Sequence, residues 1–244
     1  MKKLTCTILL IILIFSLSAC AKQDDPKYLL AHQYDEFIDF DVSDSAVFDK
    51  FINDVSNYTI PGVVVVKVTV RTSFNILVEE REVTGFIYAI YDNSLRVVTS
   101  LESVSVNNEG YKVEVSIVDF ANRIYSALIL SESEEYGIAV IKFDANATVT
   151  KLRKIDLAKY TPMNNEPILM LSNYQKSRNS LIMGTIINKD DELKTYETTL
   201  PVDQYIIGGT LINMRRQIVG LVISVDDQDV EIMGIERIRE YFNM

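Results

Sequence analysis

From Val63 onward, apolar and polar residues alternate in short runs that fit β-strands. The segments "VVVVKVTVR" (63–71), "REVTGFIYAIY" (81–91) and "LRVVTS" (95–100) are β-branched and aromatic, and a polar turn at Asp92-Asn93-Ser94 separates the last two. In "YKVEVSIV" (111–118), Val113, Val115 and Ile117 fall on one face. A turn near Ala121-Asn122 leads into a strand rich in Ile and Leu. Further strands are predicted at "YGIAVIKF", "PILMLS", "SLIMGTIIN", "KTYETTL", "GTLINM" and "QIVGLVIS". Helical spacing occurs only near the two ends of this region. Ser43 or Asp44 can cap a helix carrying Ala46, Val47, Phe51, Ile52 and Val55, with its exit at Pro61-Gly62, and "GIERIREYF" places Ile235, Ile238, Tyr241 and Phe242 on one side of a closing helix. Many short strands with almost no helix between them imply an all-β sandwich or barrel rather than a parallel α/β sheet. No internal repeat or low-complexity tract is evident, and the less apolar piece 151–167 is the best boundary between two units.

The first residues, "MKKLTCTILLIILIFSLSAC", combine two lysines, an apolar run and small residues, which is the layout of a secretory signal. The run is short for a bilayer span, so a signal removed on export is expected. The tetrad Leu17-Ser18-Ala19-Cys20 resembles the lipobox of bacterial lipoproteins, in which the cysteine is acylated and becomes the first mature residue. An ordinary cleavage site beside a chance cysteine is the competing reading. The lipobox implies a signal over 1–19, lipidation (palmitate-type acyl chains) at Cys20, and an acidic tether over 20–42 that anchors the protein to the extracytoplasmic face of a cell membrane. The helical piece then covers 43–61, one β-unit 62–150 and the other 151–244.

Charge and chemistry narrow the functions. The only cysteines are Cys6, inside the signal, and Cys20, so no disulfide is expected in the mature chain. Loss of Lys2 and Lys3 with the signal leaves 22 cationic against 34 acidic residues, a formal charge of −12. Such a surface repels phosphate backbones, and nucleic acid is not expected as a partner. The single histidine, His32, lies in the tether with no second histidine to support a metal or catalytic role. The carboxylates of "VDDQDVE" lack the spacing and glycine of a calcium loop and read as a solvated turn between the last strand and the closing helix. "NKDDE" reads as a hairpin tip. No phosphate loop or zinc pattern is present, so no cofactor and no metal is expected.

Five landmarks, in order, resemble the HtrA/Deg-type branch of the trypsin-like serine proteases. "TGFIY" (84–88) is similar to that family's G-S-G-F-I strand, "VVTSLESV" (97–104) to its I-L-T-N-x-H-V-V segment, and "YGIAVIKF" (136–143) to D-L-A-V-L-K. "ILMLSNY" (168–174) is similar to A-I-G-N-P, and "YIIGGTLINMRRQIVGL" (205–221) to G-N-S-G-G-P-L-L-N followed by V-I-G-I. The resemblance covers residues 62 to about 242. It implies two antiparallel β-barrels of the trypsin-like fold, flanked by a short N-terminal helix and a C-terminal helix. It also implies that the general-base histidine is replaced by Glu102, the orienting aspartate by Gly137 and the nucleophilic serine by Ile207. Isoleucine has no lone pair with which to attack, so the triad's division of labour has no occupants. Tyr205 replaces the first glycine of the turn that supplies the oxyanion hole, where a side chain restricts the backbone.

The resemblance therefore implies a pseudoprotease that binds a protein or peptide partner without cleaving it. The groove would be formed by Tyr205, Ile206 and Ile207 beside the strand Gly220, Leu221, Val222, Ile223 and Ser224, to which an extended peptide could add. In the opposing reading both isoleucines fill a collapsed cleft. Function then lies in a structural or assembly role, with the outer surface or the tether docking a membrane complex. A peptidase with rearranged catalysis is the third and least supported reading.

Overall fold

The computed structural model describes residues 46–106, 110–226 and 229–243. The chain divides into two compact units, Met1–Phe48 and Asp49–Met244, and of the first only the opening of helix α1 (Ala46–Asp54) is described. Cys20, the tether, His32 and the capping candidates Ser43 and Asp44 lie outside the described residues. Helix α1 runs into one π-helical turn, Val55–Thr59, and a 3₁₀ turn, Ile60–Gly62, where Pro61 ends the helical stretch.

Strands β1 (Val63–Thr72), β2 (Leu77–Tyr91), β3 (Ser94–Ser100), β4 (Tyr111–Val118), β5 (Ile124–Ser133) and β6 (Ile138–Asp144) close into one antiparallel barrel, in the order β1-β2-β3-β6-β5-β4. Strands β7 (Pro167–Ser172), β8 (Ser180–Asp190), β9 (Thr195–Thr198), β10 (Thr210–Ile212), β11 (Ile218–Asp226) and β12 (Asp229–Gly234) close into a second, in the order β10-β11-β12-β9-β8-β7. Read from its first strand, the second order is that of the first. One topology is therefore built twice from sequences with no visible repeat, because a closed barrel needs only inward apolar positions and turns. Short helices α2 (Leu101–Val104) and α3 (Ala147–Thr150) follow β3 and β6, and α4 (Ile235–Phe242) ends the described chain.

Alternation governs the strands where one face meets solvent. Val66, Val68 and Val70 point into the first barrel with Ile87, Leu95, Val97, Ile117, Ile141 and Phe143. Where both faces are covered the pattern becomes continuous: β7 is buried along its whole length, and so is β11 from Ile218 to Ile223. A second core cluster joins Phe86, Val98, Ile138 and Val140 of the first barrel to Met170, Ile206, Leu211 and Val222 of the second, so the barrels share apolar packing.

Two elements differ from the pattern-based expectation. "VDDQDVE" does not lead straight to the closing helix, because β12 begins at Asp229 and pairs with β11 from Asp226↔Asp229 to Gly220↔Gly234. Its outward acidic positions mask the inward Ile232. Strand β2 also begins earlier than expected, at Leu77; Leu77, Glu79 and Glu80 are exposed but paired with β1, and Val78 falls at a register shift between them. The β4–β5 turn is organised by buried Asp119, whose carboxylate accepts the N–H groups of Ala121 (2.9 Å) and Arg123 (3.0 Å), the Arg123 Nε–H (2.6 Å) and the Tyr125 hydroxyl (2.9 Å). Burial alone raises the pKa of this carboxyl, but the donors outweigh it and hold the carboxyl below its usual range.

Candidate functional site

Glu102, Gly137 and Ile207 come from three separate stretches of chain, and each stretch makes a contact across the two barrels. Strand β3 delivers Ser100 to the start of α2, and Glu102 lies in that helix with its side chain exposed. Its carbonyl accepts a hydrogen bond from Arg81 Nη1 at 3.3 Å. The N–H of Leu101 donates to the carbonyl of Gly137 at 2.8 Å, which ties α2 to the residue preceding β6. Gly137 has φ +63°, a left-handed conformation that most side chains avoid, and a Cβ there would meet Ile223 at 3.5 Å. Ile223 in turn accepts the Ser100 hydroxyl on its carbonyl at 2.5 Å.

Ile207 follows a 3₁₀ turn, Gln204–Ile206. Its carbonyl accepts the N–H of Thr84 at 3.2 Å, and the next N–H, from Gly208, donates to Val222 at 2.9 Å, so the loop is fastened to β2 and β11. Gly208 has φ +74°, and an added Cβ would lie 1.9 Å from the Thr84 carbonyl oxygen. Only glycine fits this approach of backbone to backbone. Ile206 is fully buried in the shared core, while Ile207 is half-buried. The Asp203 carboxylate caps the turn by accepting the N–H of Tyr205 at 2.7 Å. An N–H engaged in that way cannot donate to a developing oxyanion without breaking its cap. The Tyr205 ring lies under Lys176, whose Nζ is 5.1 Å from its centroid.

The strand expected to accept a peptide is largely paired already. Gly220 and Leu221 bond β10 on one side and β12 on the other, and Val222 exchanges backbone bonds with Gly208 and Gly209. Strand addition along Gly220–Val222 is therefore closed, since each edge of a strand takes one partner. Ile223 is the extra residue of a β-bulge, with its carbonyl engaged by Ser100, and Ser224 is half-buried beyond it.

Sequence reading missed a buried carboxyl network in the second barrel. Glu166, in the connection before β7, is 4% exposed and accepts the Met163 N–H at 2.8 Å. Tyr160 stands 3.5 Å from its other oxygen and accepts the side-chain amide of Asn213 at 2.7 Å. Burial pushes the Glu166 carboxyl up to about 7, against partial relief from the Met163 N–H and Tyr160. Nothing in "MNNEP" marks this glutamate, because its burial comes from chain far away in sequence. Among the described residues no group of His, Cys, Asp and Glu is arranged to hold a metal, and no helix is long and apolar enough to cross a membrane.

Two closed six-stranded antiparallel barrels with the site region at their junction define the fold of trypsin-like serine proteases. In particular, the chain is similar in structure to a serine endoprotease from Yersinia pestis, with a TM-score of 0.61 and 20% sequence identity over 78% of this chain. The match spans 64% of that protein's length. No protein-family model matches the sequence, and neither does any curated protein.

Proposed function

We propose that the chain is a non-catalytic protein with a protease fold, lipidated at Cys20 and held on the extracytoplasmic face of a cell membrane, which binds a protein or peptide partner without cleaving it. The observation that carries this reading is the loop 203–208. It keeps the tight glycine turn of the fold but presents Ile207 where the resemblance assigns the nucleophile, and it spends the Tyr205 N–H on Asp203. A triad-less protease can retain about 10³ to 10⁴-fold acceleration from its oxyanion hole and binding. The capped Tyr205 N–H argues against even that remainder.

Incubating the full chain with casein and a fluorogenic peptide pool tests the first half. No turnover is expected, and turnover abolished by Glu102→Gln would overturn the reading. Radiolabelled palmitate should enter the wild type and not Cys20→Ala. A second reading, docking of a membrane complex through the outer surface, is favoured by β5, whose outward Ile124 and Leu128 are 71% and 67% exposed. Crosslinked capture by wild type and by Ile207→Arg separates the two. A partner lost with the arginine places binding at the junction, whereas a partner kept by both places it on the outer surface.

A further inference from the structure

Strands β1 and β2 meet in a turn whose apolar side chains the fold leaves in solvent. Phe74 is 86% exposed and Ile76 63%, and Leu77 and Val78 behind them are exposed as well. A register shift leaves Val78 unpaired between Leu77 and Glu79, which breaks the usual alternation of faces. From Ser73 to Val78 the chain carries no charge, although 24% of its residues are charged. Single exposed apolar residues need no explanation, but a run of them at one turn marks contact with something apolar.

The turn is also built so that it can leave water. The Thr72 N–H donates to the Ile76 carbonyl and the Asn75 N–H to the Thr72 carbonyl, each at 2.9 Å, and the Ile76 N–H donates to the Thr72 hydroxyl at 3.2 Å. Asn75 takes the left-handed φ of +64° that closes the turn, a conformation asparagine tolerates. Backbone groups bonded within the turn enter a medium without water at little cost, whereas unpaired ones would oppose the transfer. Behind the tip, β1 and β4 pair Thr72↔Tyr111 and Arg71↔Lys112. The neighbouring carboxylates are offset, Glu79 by Arg81 at 3.5 Å, Glu80 by Lys67 at 2.9 Å and Glu114 by Arg71 at 3.7 Å, and Lys112 is exposed beside them. An apolar tip backed by a tyrosine and basic residues matches the order of environments from the acyl chains of a bilayer to its headgroups. A projecting, uncharged tip suits a fluid apolar phase better than a pocket, where polar groups fix the orientation of a ligand.

We propose that the β1–β2 turn dips into the surface of the lipid bilayer that holds Cys20, with Phe74 and Ile76 leading and Tyr111, Arg71 and Lys112 at the level of the headgroups. The inference rests on the reading that Cys20 is lipidated. Residues 21–45 separate Cys20 from helix α1, and a chain of that length reaches at most about 90 Å. Anchoring therefore keeps the tip near the bilayer at a high effective concentration. An insertion too weak to hold a free protein is then enough to turn a tethered one, so the barrels take one orientation on the membrane.

The chain contains no tryptophan, so Phe74→Trp supplies a single fluorescent reporter. The full chain carrying it is reconstituted into vesicles of phosphatidylcholine and phosphatidylglycerol, with and without brominated acyl chains. Emission should shift to shorter wavelength and be quenched by the brominated lipid. Adding Ile76→Asp should lower the insertion equilibrium at least about tenfold. Leu193→Trp, on the exposed β8–β9 turn of the second barrel, should emit as in water and escape quenching. Circular dichroism checks that each variant folds. A reporter at position 74 that emits as in water would overturn the proposal. So would a shifted emission without quenching, which would place the tip against protein, and so would quenching that Ile76→Asp leaves undiminished or that is equal at position 193. Mass spectrometry of the same sample reads the acylation of Cys20 separately. An unacylated Cys20 beside a quenched reporter would refute the anchoring and leave the insertion standing, and an acylated Cys20 beside an unquenched reporter would do the reverse.

Discussion

Replacing Glu166 with glutamine should change how stability depends on pH. The folded protein buries this carboxyl and raises its pKa from 4.5 to about 7, so the fold binds the proton more tightly than the unfolded chain does. The stabilisation is fully present below about 4.5, the unfolded value, and is lost as pH rises through about 7. Between about pH 5 and about pH 8, linkage with these two values removes about 2.5 kcal/mol of stability from the wild type. Glutamine has no proton to lose, its amide oxygen can still accept the Met163 N–H, and its amide nitrogen can face the Tyr160 oxygen. Urea unfolding of both proteins at the two pH values isolates the effect, because every other titrating group is common to both. The variant should gain about 2.5 kcal/mol on the wild type when the pH is raised. A stability difference that stays the same at both pH values would refute the reasoning and show that Glu166 titrates like a solvated carboxyl.

Two further substitutions probe the supports of the fold. Gly208→Ala sets a methyl 1.9 Å from the Thr84 carbonyl oxygen at φ +74°; it should cost more than about 3 kcal/mol and lower the thermal midpoint accordingly, and a midpoint near that of the wild type would mean that the loop is not fastened as described. Asp119→Ala strips the acceptor from four donors and should cost about 2 to 3 kcal/mol near neutral pH. Because that carboxyl sits below its usual pKa, its contribution is present above about 4 and fades as acid protonates it, so the gap between variant and wild type should narrow in acid unfolding measurements.

Most strands could be read in the sequence because strand geometry is local. Side chains alternate across a strand whatever it pairs with, so Val113, Val115 and Ile117 share a face on covalent grounds alone. The closing helix was legible for the same reason, through the spacing of Ile235, Ile238, Tyr241 and Phe242. Strand β12 was not: its acids look outward, and its apolar residues count as a strand only once β11 lies beside them. The groove expected over Gly220–Val222 was unreadable in a different way. Its residues suit a strand edge, but an edge is free or taken according to what lies next to it, and β10 and β12 take both sides.

Sequence alone determined the all-β character, the helices near either end, the excess of negative charge and the residue types at the positions the resemblance assigns to a triad. These are properties of composition and short-range period. Tertiary structure alone decided that the stretches carrying Glu102, Gly137 and Ile207 each contact the opposite barrel, that Asp203 takes up the N–H of Tyr205, and that burial raises the pKa of Glu166. Each of these depends on which distant segments approach, and so on burial and pairing between residues far apart in the chain, which no local pattern encodes.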